Sequence, residues 1–526
     1  MIILGIGGIE GDAASAVLKD GHLVAAVEES KLARRRAHWS TGGEMPVESI
    51  ATCLELAGAK DEQVDIVAVA RPIADRDLHL KLRARFPHAR RVTVVEHHRA
   101  HAASAFFLSP FDEATVLVLD RGGDLRCGSR WRGRGSQMAL EQELYVPDSL
   151  AELYGRVTEL LGFHANLDEH KVQWLSVCGD NRYSGLFHAI LRLGDAGPSI
   201  DRSFFSTERL SSGGFGPRFY EQLGLADGAP IPEAMRPHIA TGAQMAIEAA
   251  VSVIAGNGRN LCLAGGLGLN AMLVSALEDD SEYENVFVQP AAGNAGTAIG
   301  AALDAWHGVA GQETRVRLET LCLGPSFASQ EIKQVLENCK LRFRYLLTEE
   351  EVISTAVEQL SDNRIVAWMH GRMEFGARAL GNRSILASPL DPYAAENLNQ
   401  YIKHREPFRK FAASAPAELI GDYFAVGPNA KYLATVGRVR PEHRDRFAAA
   451  ILVGDWVRVH SVEREENPLY WKLLHAAGAA TGLPVLYNTS FNLFGEPLVC
   501  TPRDAVRSFY SSGIDAMFVG NFFLQK

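Results

Sequence analysis

The sequence predicts an α/β protein of two domains, and three observations lead to this prediction. Short β-branched runs alternate with helical stretches along most of the chain. Two of the first runs are joined by Asp20-Gly21, a pair typical of a two-residue hairpin turn. A stretch rich in glycine and polar residues, from Trp306 to Ser329, interrupts the pattern and indicates a linker. A mixed sheet before the linker and a second α/β region after it fit this order.

The predicted strands of the first domain follow the chain in order. Ile2–Ile6 comes first, and Ala14–Leu18 and His22–Val27 form the hairpin. The remaining strands are the runs Val64–Ala70, Val92–Val95, Thr115–Leu119, Leu261–Ala264 and Val286–Val288. We place this domain at residues 1–314.

The second domain is predicted at residues 320–526. Its apolar runs, Ile365–Trp368, Val485–Tyr487 and Ala516–Val519, have the length of short buried strands. Helical stretches separate them, so the same α/β class is expected here.

Composition restricts the classes of function. The net charge of -10 argues against broad binding to nucleic acid, which needs clustered lysine and arginine. The seven cysteines form no C-x-x-C pair, which is typical of a reducing compartment. The first residues lack the charged and apolar regions of a signal peptide, and no uninterrupted apolar run of membrane-spanning length occurs. We therefore expect a cytoplasmic protein with no membrane partner.

A histidine cluster follows the strand at Val92–Val95. In a helix, His97 and His101 lie four residues apart and face the same side, so they can share a divalent ion. Asp120, at the end of the next strand, is a candidate third ligand. A solvated helix start rich in histidine is the alternative.

Two strands run through glycines into helices. Gly265, Gly266 and Asn270 belong to the first of these turns, where backbone N–H groups could approach a phosphate. Asn294 belongs to the second turn, as a metal ligand or a helix cap. Tight turns without a ligand are the alternative for both.

The strongest pattern is a group of strong bases in an acidic protein. Guanidinium groups bind phosphate through paired N–H donors, so such a group could hold a triphosphate and a second phosphorylated substrate. Interleaved glycine, phenylalanine and proline favour a shaped pocket over a solvated basic face. The bases are Arg372, Arg378, Arg383, Lys403, Arg405 and Arg409.

A polar strand end closes the set of motifs. Asn488, Ser490 and Asn492 follow the run at Val485–Tyr487 and could hold a small planar amide-like group or a ribose. Satisfied capping side chains are the alternative.

Together these segments resemble the O-carbamoyltransferase family of nodulation-factor and antibiotic biosynthesis. The resemblance spans nearly the whole chain. It rests on GRMEFGARALGNRSILA, NQYIKHREPFRKFA, PVLYNTSFNLFGEPLVCTP, HHRAHAASAFFLSPF, the DEHK at Asp168–Lys171, LAGGLGLN and PAAGNAG.

The resemblance implies an N-terminal actin-like ATPase-type domain, like the proteins that transfer threonylcarbamoyl to tRNA. It implies a C-terminal domain similar to threonylcarbamoyl-adenylate synthases. The C-terminal domain would make carbamoyl adenylate from ATP, with its Mg²⁺, and carbamoyl phosphate, with Arg378 and Lys403 as catalytic candidates. The N-terminal domain would pass the carbamoyl group to a hydroxyl of a small-molecule acceptor, with Asp168 and Lys171 as catalytic candidates. The resemblance also implies an iron-type metal on His97, His101, Asp120 and Asn294. A homodimer is one option for its assembly.

The chain departs from the family pattern near the expected acceptor. Gly11 stands where the family has histidine, so either Asp12 or Asp168 is the candidate base. Arg121 follows Asp120 and would disfavour a metal unless it turns away, and Asn294 replaces an aspartate.

These departures keep two alternatives open. One is a non-catalytic or divergent nucleotide-binding paralogue. The other is a relative of the tRNA threonylcarbamoyl-transfer proteins, against which the net acidity and the fused domains argue.

Overall fold

The first sheet begins with the predicted hairpin. The computed structural model describes residues 1–34, 45–73, 75–194, 197–209, 211–280, 282–448, 450–451 and 453–526. The strands of this sheet are β1 (Ile2–Gly7), β2 (Ala14–Lys19), β3 (His22–Glu28), β4 (Ile66–Ala70) and β5 (Arg91–Val95). Their spatial order is β3-β2-β1-β4-β5, with β2 antiparallel to β1 and β3, and with β4 and β5 parallel to β1. All five strands were predicted, with end points that differ by a few residues.

The second sheet repeats this topology. Its strands are β6 (Glu113–Gly123), β7 (Arg126–Arg134), β8 (Gln137–Tyr145), β11 (Gly258–Ala264) and β12 (Tyr283–Val288), while β9 (Leu191–Gly194) and β10 (Gly197–Ile200) form a separate hairpin. The order β8-β7-β6-β11-β12 matches that of the first sheet, with the same pattern of parallel and antiparallel pairs. This duplication confirms the actin-like arrangement, although no short repeat was found in the sequence.

Helices cover both sheets of the N-terminal half. In chain order they are α1 (Glu29–Ala33), α2 (Val47–Leu56), α3 (Leu78–Arg85), α4 (His97–Phe106), α5 (Leu150–Leu160), α6 (Glu169–Ser176), α7 (Ser184–Ile190), α8 (Pro217–Gln222), α9 (Arg236–Ala255), α10 (Ala271–Asp280) and α11 (Gly296–Asp304). Helices α4 and α11 follow the last strand of each sheet and pack closely against each other. A Cβ on Gly300 would lie 1.8 Å from the carbonyl oxygen of Ala100, so the approach requires glycine. This contact fixes the start of α4, where the histidines lie, against α11.

The helical run Glu233–Ala255 is the candidate membrane span among the described residues. Its best window has a mean hydropathy of 1.2, and 61% of that window is buried inside the protein. Residues such as Ile247 and Val251 pack in the core of the N-terminal half, so the helix serves as a core helix.

In the described residues, the C-terminal half is built on one mixed sheet of ten strands. These are β13 (Arg344–Tyr345), β14 (Val366–Met369), β15 (Arg383–Ala387), β16 (Ala412–Pro416), β17 (Phe424–Ala425), β18 (Val436–Val439), β19 (Trp456–Val462), β20 (Leu486–Ser490), β21 (Ala516–Val519) and β22 (Phe522–Gln525). Their order is β13-β22-β21-β14-β15-β20-β16-β19-β18-β17. The helices are α12 (Ser329–Asn338), α13 (Glu349–Ser361), α14 (Ala394–Asn397), α15 (Ile420–Tyr423), α16 (Pro468–Thr481) and α17 (Pro502–Tyr510). The predicted α/β class is confirmed for both halves.

The stretch between the N-terminal and C-terminal halves packs against the rest of the protein and is not an exposed linker. After a π-helical turn at Ala305–Val309, residues 310–328 contain neither helix nor strand. Leu321 and Leu323 are nevertheless buried, and the Leu323 carbonyl accepts a hydrogen bond of 3.3 Å from the Ala26 amide. This segment therefore helps to hold the two halves against each other. The boundaries at 314 and 320 remain predictions.

Candidate functional site

A large cavity lies between the two halves. Its volume is about 1870 Å³. The N-terminal half contributes carboxylates, glycine turns and the first turn of α6 to its wall, and the C-terminal half contributes cations and a polar strand end. Of the predicted site residues, the wall contains Asp12, Asp120, Asp168, Lys171, Gly266, Asn270, Asn294, Arg378, Lys403, Arg405, Arg409, Ser490 and Asn492.

Four cations form one wall of this cavity: Arg378, Lys403, Arg405 and Arg409. Lys403 ends a π-helical turn and is buried. Its Nζ donates to the carbonyl of Asn492 at 2.8 Å, to Oδ1 of the same residue at 2.7 Å and to the carbonyl of Ser490. Neither Arg378 nor Arg405 forms an ion pair with any carboxylate in the described part of the chain. Their positive charge is therefore left for a ligand.

The pKa values of these cations are lowered because the cations are buried and lie close to one another. Burial, and then the charge of Arg409, lowers the pKa of Arg378 to about 10. Burial, and then Arg409, lowers the pKa of Arg405 to about 9. Burial together with Arg405 and Arg409 holds the pKa of Lys403 well below its usual value. A bound anion would offset the free-energy cost of burying these positive charges and would reduce the repulsion between them.

An ion-pair chain crosses the cavity from one half to the other. Lys171 on α6 lies 3.2 Å from Asp168 and 2.7 Å from Glu406. Glu406 in turn lies 3.9 Å from Arg409. Burial is the largest single influence and raises the pKa of Glu406, but the hydrogen bond and charge of Lys171, together with a backbone hydrogen bond and the charge of Arg409, outweigh it, and the pKa is lowered. The two predicted residues Asp168 and Lys171 are thus tied to the basic cluster.

Sequence reasoning missed His170, which lies between them. This imidazole lines the cavity, and its Nε2 has no hydrogen-bond partner among the described residues. Burial, and then the charges of Arg409, Arg378, Arg405 and Lys171, holds the pKa of His170 well below its usual value. The signal was its place inside the DEHK segment, next to two nominated residues.

Two of the six predicted bases lie elsewhere, and the prediction that all six share one pocket is wrong. The Arg372 guanidinium donates to the main-chain carbonyls of Val24 at 2.9 Å and Gly324 at 3.0 Å, and so joins the two halves. Arg383 is fully buried and donates to the carbonyls of His370 at 2.8 Å and Pro325 at 3.1 Å. Backbone carbonyls of irregular segments require buried donors, and these two arginines supply them.

Two further predicted binding residues are also structural. The Asn488 side chain is buried and donates to the carbonyl of Ala379 at 3.1 Å and to the hydroxyl of Ser414 at 3.3 Å. Gly265 has a φ of +88°, and a Cβ there would lie 2.3 Å from the carbonyl oxygen of Leu119. Neither residue is on the cavity wall. Both serve the packing behind it.

The glycine turn after β11 contacts a carboxylate of the protein itself. The Gly266 amide donates to Asp120 Oδ1 at 3.2 Å. Asn270 Oδ1 accepts from the amides of Met272 and Leu273 at 3.1 Å each, and so caps the start of α10. The turn therefore orients Asp120, and Asn270 has a capping role while it also lines the cavity.

His97, His101 and Asp120 meet beside the cavity, and of these three residues Asp120 is the one that lines its wall. One potential ligand atom from each lies within 4.8 Å of the others, and all three side chains are buried. His97 Nε2 lies 2.7 Å from Asp120 Oδ2, and its Nδ1 lies 2.9 Å from the carbonyl of Arg71. Burial is the largest single influence and lowers the pKa of His97, but the hydrogen bond and charge of Asp120, together with the Arg71 carbonyl and the Asp124 charge, outweigh it, and the pKa is raised. The carbonyl of Arg71 fixes the orientation of this ring as a second-layer partner does in metal sites.

The remaining atoms of this cluster fit a metal ion. His101 is fully buried, yet neither ring nitrogen has a hydrogen-bond partner among the described residues, and its Nε2 is 3.5 Å from Asp120. Burial lowers the pKa of His101, which favours the neutral imidazole that ligates metals. Asn294 Oδ1 is also buried without a partner. Unsatisfied buried acceptors of this kind are costly unless a ligand completes them.

The positive charge of Arg121 does not disfavour a metal ion at Asp120, because the side chain meets the condition stated from the sequence. Its guanidinium turns away from Asp120 and pairs with Glu152 and Asn166. His98 is likewise outside the cluster, because its ring nitrogens lie 2.9 Å from the Ser129 hydroxyl and 3.0 Å from the Arg126 carbonyl.

Asp12 stands on the cavity wall at the turn between β1 and β2, with a φ of 62°. Burial, and then the negative charges of Glu28 and Asp120, raises the pKa of Asp12. A carboxylate with a raised pKa is a better proton acceptor than an ordinary aspartate. Glu28 itself and the neighbouring Lys31 are further wall residues that sequence reasoning missed.

Comparison with known proteins identifies the family. Residues 73–303 match the model of the carbamoyltransferase N-terminus, and residues 357–526 match that of the carbamoyltransferase C-terminus. An uncharacterised protein of Synechocystis sp., sll1178, is 33% identical over 100% of this chain and 96% of its own length. Nodulation protein NolNO of Sinorhizobium fredii is 31% identical over 98% of this chain and 79% of its own. The 3'-hydroxymethylcephem-O-carbamoyltransferase of Amycolatopsis lactamdurans is 33% identical over 51% of this chain and 49% of its own. These matches span both halves that line the cavity, and the chain therefore belongs to the carbamoyltransferase family of enzymes.

Proposed function

We propose that this enzyme is an ATP-dependent O-carbamoyltransferase that uses carbamoyl phosphate and a hydroxylated small-molecule acceptor. The observation that carries the proposal is the shared cavity, with the cations Arg378 and Arg405, which form no ion pair among the described residues, on one wall, and with Asp120 of the histidine–aspartate cluster on the other. The cations suit phosphate groups, and the opposite wall suits acyl transfer. One shared cavity lets a reactive intermediate pass between the two walls without diffusing away through bulk water.

The first step would take place at the cationic wall. Water first hydrolyses carbamoyl phosphate to carbamate and inorganic phosphate. A carbamate oxygen then attacks the α-phosphorus of ATP, the bond to the β-phosphate breaks, and pyrophosphate leaves with Mg²⁺. Arg378, Arg405 and Arg409 would bind the phosphate oxygens, and Lys403 would neutralise charge on the leaving group.

The second step would take place at the opposite wall. The acceptor hydroxyl attacks the carbamoyl carbon, its proton moves to a carboxylate, and AMP leaves. Asp12 is the base we favour because its pKa is raised and it lines the cavity, while Asp168 is held by Lys171. A divalent metal such as iron, held by His97, His101, Asp120 and Asn294, would polarise the carbamoyl oxygen. The chain's own contribution is to hold these ligands, with Gly266 orienting Asp120.

The structure removes one of the three observations that supported a non-catalytic paralogue. That alternative rested on Gly11, Arg121 and Asn294, and Arg121 points away from the cluster. Asn294 keeps an unpartnered oxygen that can ligate a metal. We propose a cytoplasmic location, without nucleic acid or membrane as a partner, and leave a homodimer as an option.

The test is exchange of pyrophosphate into ATP that depends on carbamoyl phosphate. The wild type should support this exchange, and Arg378→Met should reduce it by at least about 100-fold because a charge-assisted phosphate contact is lost. Arg438→Met is the matched control, because Arg438 is exposed and stacks on the Trp456 ring at 4.0 Å, away from the cavity. A folded wild type without exchange would overturn the proposal.

A further inference from the structure

Glu28, the last residue of β3, joins the two halves of the protein at the cavity wall. The side chain is 6% exposed. Its Oε1 accepts a hydrogen bond of 2.7 Å from the Gly376 amide and lies 2.8 Å from Lys31 Nζ. Lys31 Nζ in turn donates to the carbonyls of Glu374 at 3.0 Å and Gly376 at 2.9 Å. Glu28 is therefore held rigidly by the segment that leads to Arg378.

The second oxygen of this carboxylate is free. Oε2 is buried and has no hydrogen-bond partner among the described residues, although Glu28 lines the cavity. A buried carboxylate oxygen normally accepts at least one hydrogen bond, because removing it from water is costly otherwise. A ligand that donates an N–H or O–H at this point would satisfy it.

The position of Glu28 indicates which part of the ligand is near. Gly376 lies two residues before Arg378 on the cationic wall, and Asp12 is close enough to feel the Glu28 charge. Glu28 thus borders both the segment that carries Arg378 and the Asp12 carboxylate, so a group that moves from the phosphate-binding wall to Asp12 would come near it. Under the proposed function, on which this inference rests, that group is carbamoyl, and its NH₂ is a donor on the small transferred unit.

We propose that Glu28 Oε2 accepts a hydrogen bond from the carbamoyl NH₂ and selects carbamoyl over acyl groups that carry a methyl at the same place. Carbamoyl and acetyl have nearly the same size and shape, so a pocket cannot separate them by volume. A site built to bind an N–H rejects the analogue that lacks it, since the acceptor stays unpaired. Glu28 would act by contact with the transferred group.

Glu28→Gln tests this assignment because the two oxygens have different partners. The amide oxygen of glutamine should take the place of Oε1, where Gly376 N–H and Lys31 donate. The amide NH₂ then takes the place of Oε2 and presents donors instead of an acceptor. The structural contacts are kept while the contact to the carbamoyl NH₂ is reversed.

The measurement is binding of two stable adenylate mimics, N-carbamoyl- and N-acetyl-sulfamoyl adenosine, by calorimetry with the full chain. The wild type should bind the carbamoyl mimic at least about 30-fold more tightly than the acetyl mimic, and Glu28→Gln should remove most of this ratio. Glu374→Gln is the matched control. Glu374 is also buried with one engaged and one unpartnered oxygen, but it is not on the cavity wall, so this variant should keep the ratio.

The outcomes separate the two proposals. A wild type that binds neither mimic, and supports no pyrophosphate exchange, would refute the proposed function. A wild type that binds both mimics equally would refute the role of Glu28 alone. Equal weakening of both mimics in Glu28→Gln would assign the residue to holding Gly376 and would also overturn the inference.

Discussion

Replacing Arg405 with methionine should stabilise the ligand-free protein and weaken phosphate binding at the same time. Arg405 lines the cavity near Arg378 and Arg409 and forms no ion pair among the described residues. Methionine keeps most of the aliphatic stem and removes the charge. The two effects have opposite signs because the charge is useful only when an anion is bound.

The pKa of Arg405 sets an upper limit to the gain in stability. Folding lowers this pKa from the ordinary arginine value to about 9, chiefly through burial and then through Arg409. A tenfold change in an acid constant corresponds to about 1.4 kcal/mol, so the charged folded form costs at most about 5 kcal/mol. Water in the cavity screens the charge, and we expect a net gain of about 1–3 kcal/mol.

The pH dependence has a defined sign. The folded state binds the Arg405 proton more weakly, so from about pH 9 up to the ordinary arginine pKa the unfolded state holds more protons and stability rises with pH. Below pH 9 both states are charged, and the cost of the buried charge is present in full. The comparison of wild type and variant at pH 7.5 therefore reports the whole effect.

Thermal unfolding without ligand and calorimetric titration with pyrophosphate measure the two effects. The variant should unfold about 2–6 °C higher and bind pyrophosphate about 10- to 100-fold more weakly. Arg438→Met, exposed and outside the cavity, should change neither quantity by as much. An Arg405 variant that unfolds at a lower temperature than the wild type, or that binds pyrophosphate with wild-type affinity, would refute the argument that the Arg405 charge serves to bind an anionic ligand.

Three further changes test the metal cluster and the junction of the two halves. His101→Gln should remove most of the bound metal in elemental analysis, whereas His98→Gln should retain it, because both His98 ring nitrogens already have protein partners; equal metal content would contradict the assignment. Gly123→Ala should lower the metal content without removing a ligand, since the added Cβ would lie 2.2 Å from the His97 ring, and an unchanged occupancy would show that the ring is free to move. Arg372→Met should lower the free energy of unfolding by about 3 kcal/mol in denaturant titration, because main-chain carbonyls from both halves lose their donor, while pyrophosphate affinity should stay near the wild-type value. A loss of pyrophosphate affinity without a change in the free energy of unfolding would show that Arg372 binds the ligand after all.

The sequence alone determined the features that depend on local pattern. Alternating β-branched runs and the Asp-Gly turn predicted the hairpin and the first strands, because side-chain period and turn chemistry are local properties. The spacing of His97 and His101 placed both on one helix face for the same reason. The basic segments predicted a cationic pocket, and four of their six bases do line one cavity.

Only the tertiary structure decided which side chains face that cavity. The segment from 370 to 382 contains neither helix nor strand, so it has no period from which the directions of Arg372 and Arg378 could be read. The pairing of Glu28 with Gly376 joins residues 348 positions apart, and the duplicated sheet order depends on contacts of similar range. Side-chain direction in irregular backbone is fixed by such distant packing and by the carbonyls that need donors, and neither is written in the local sequence.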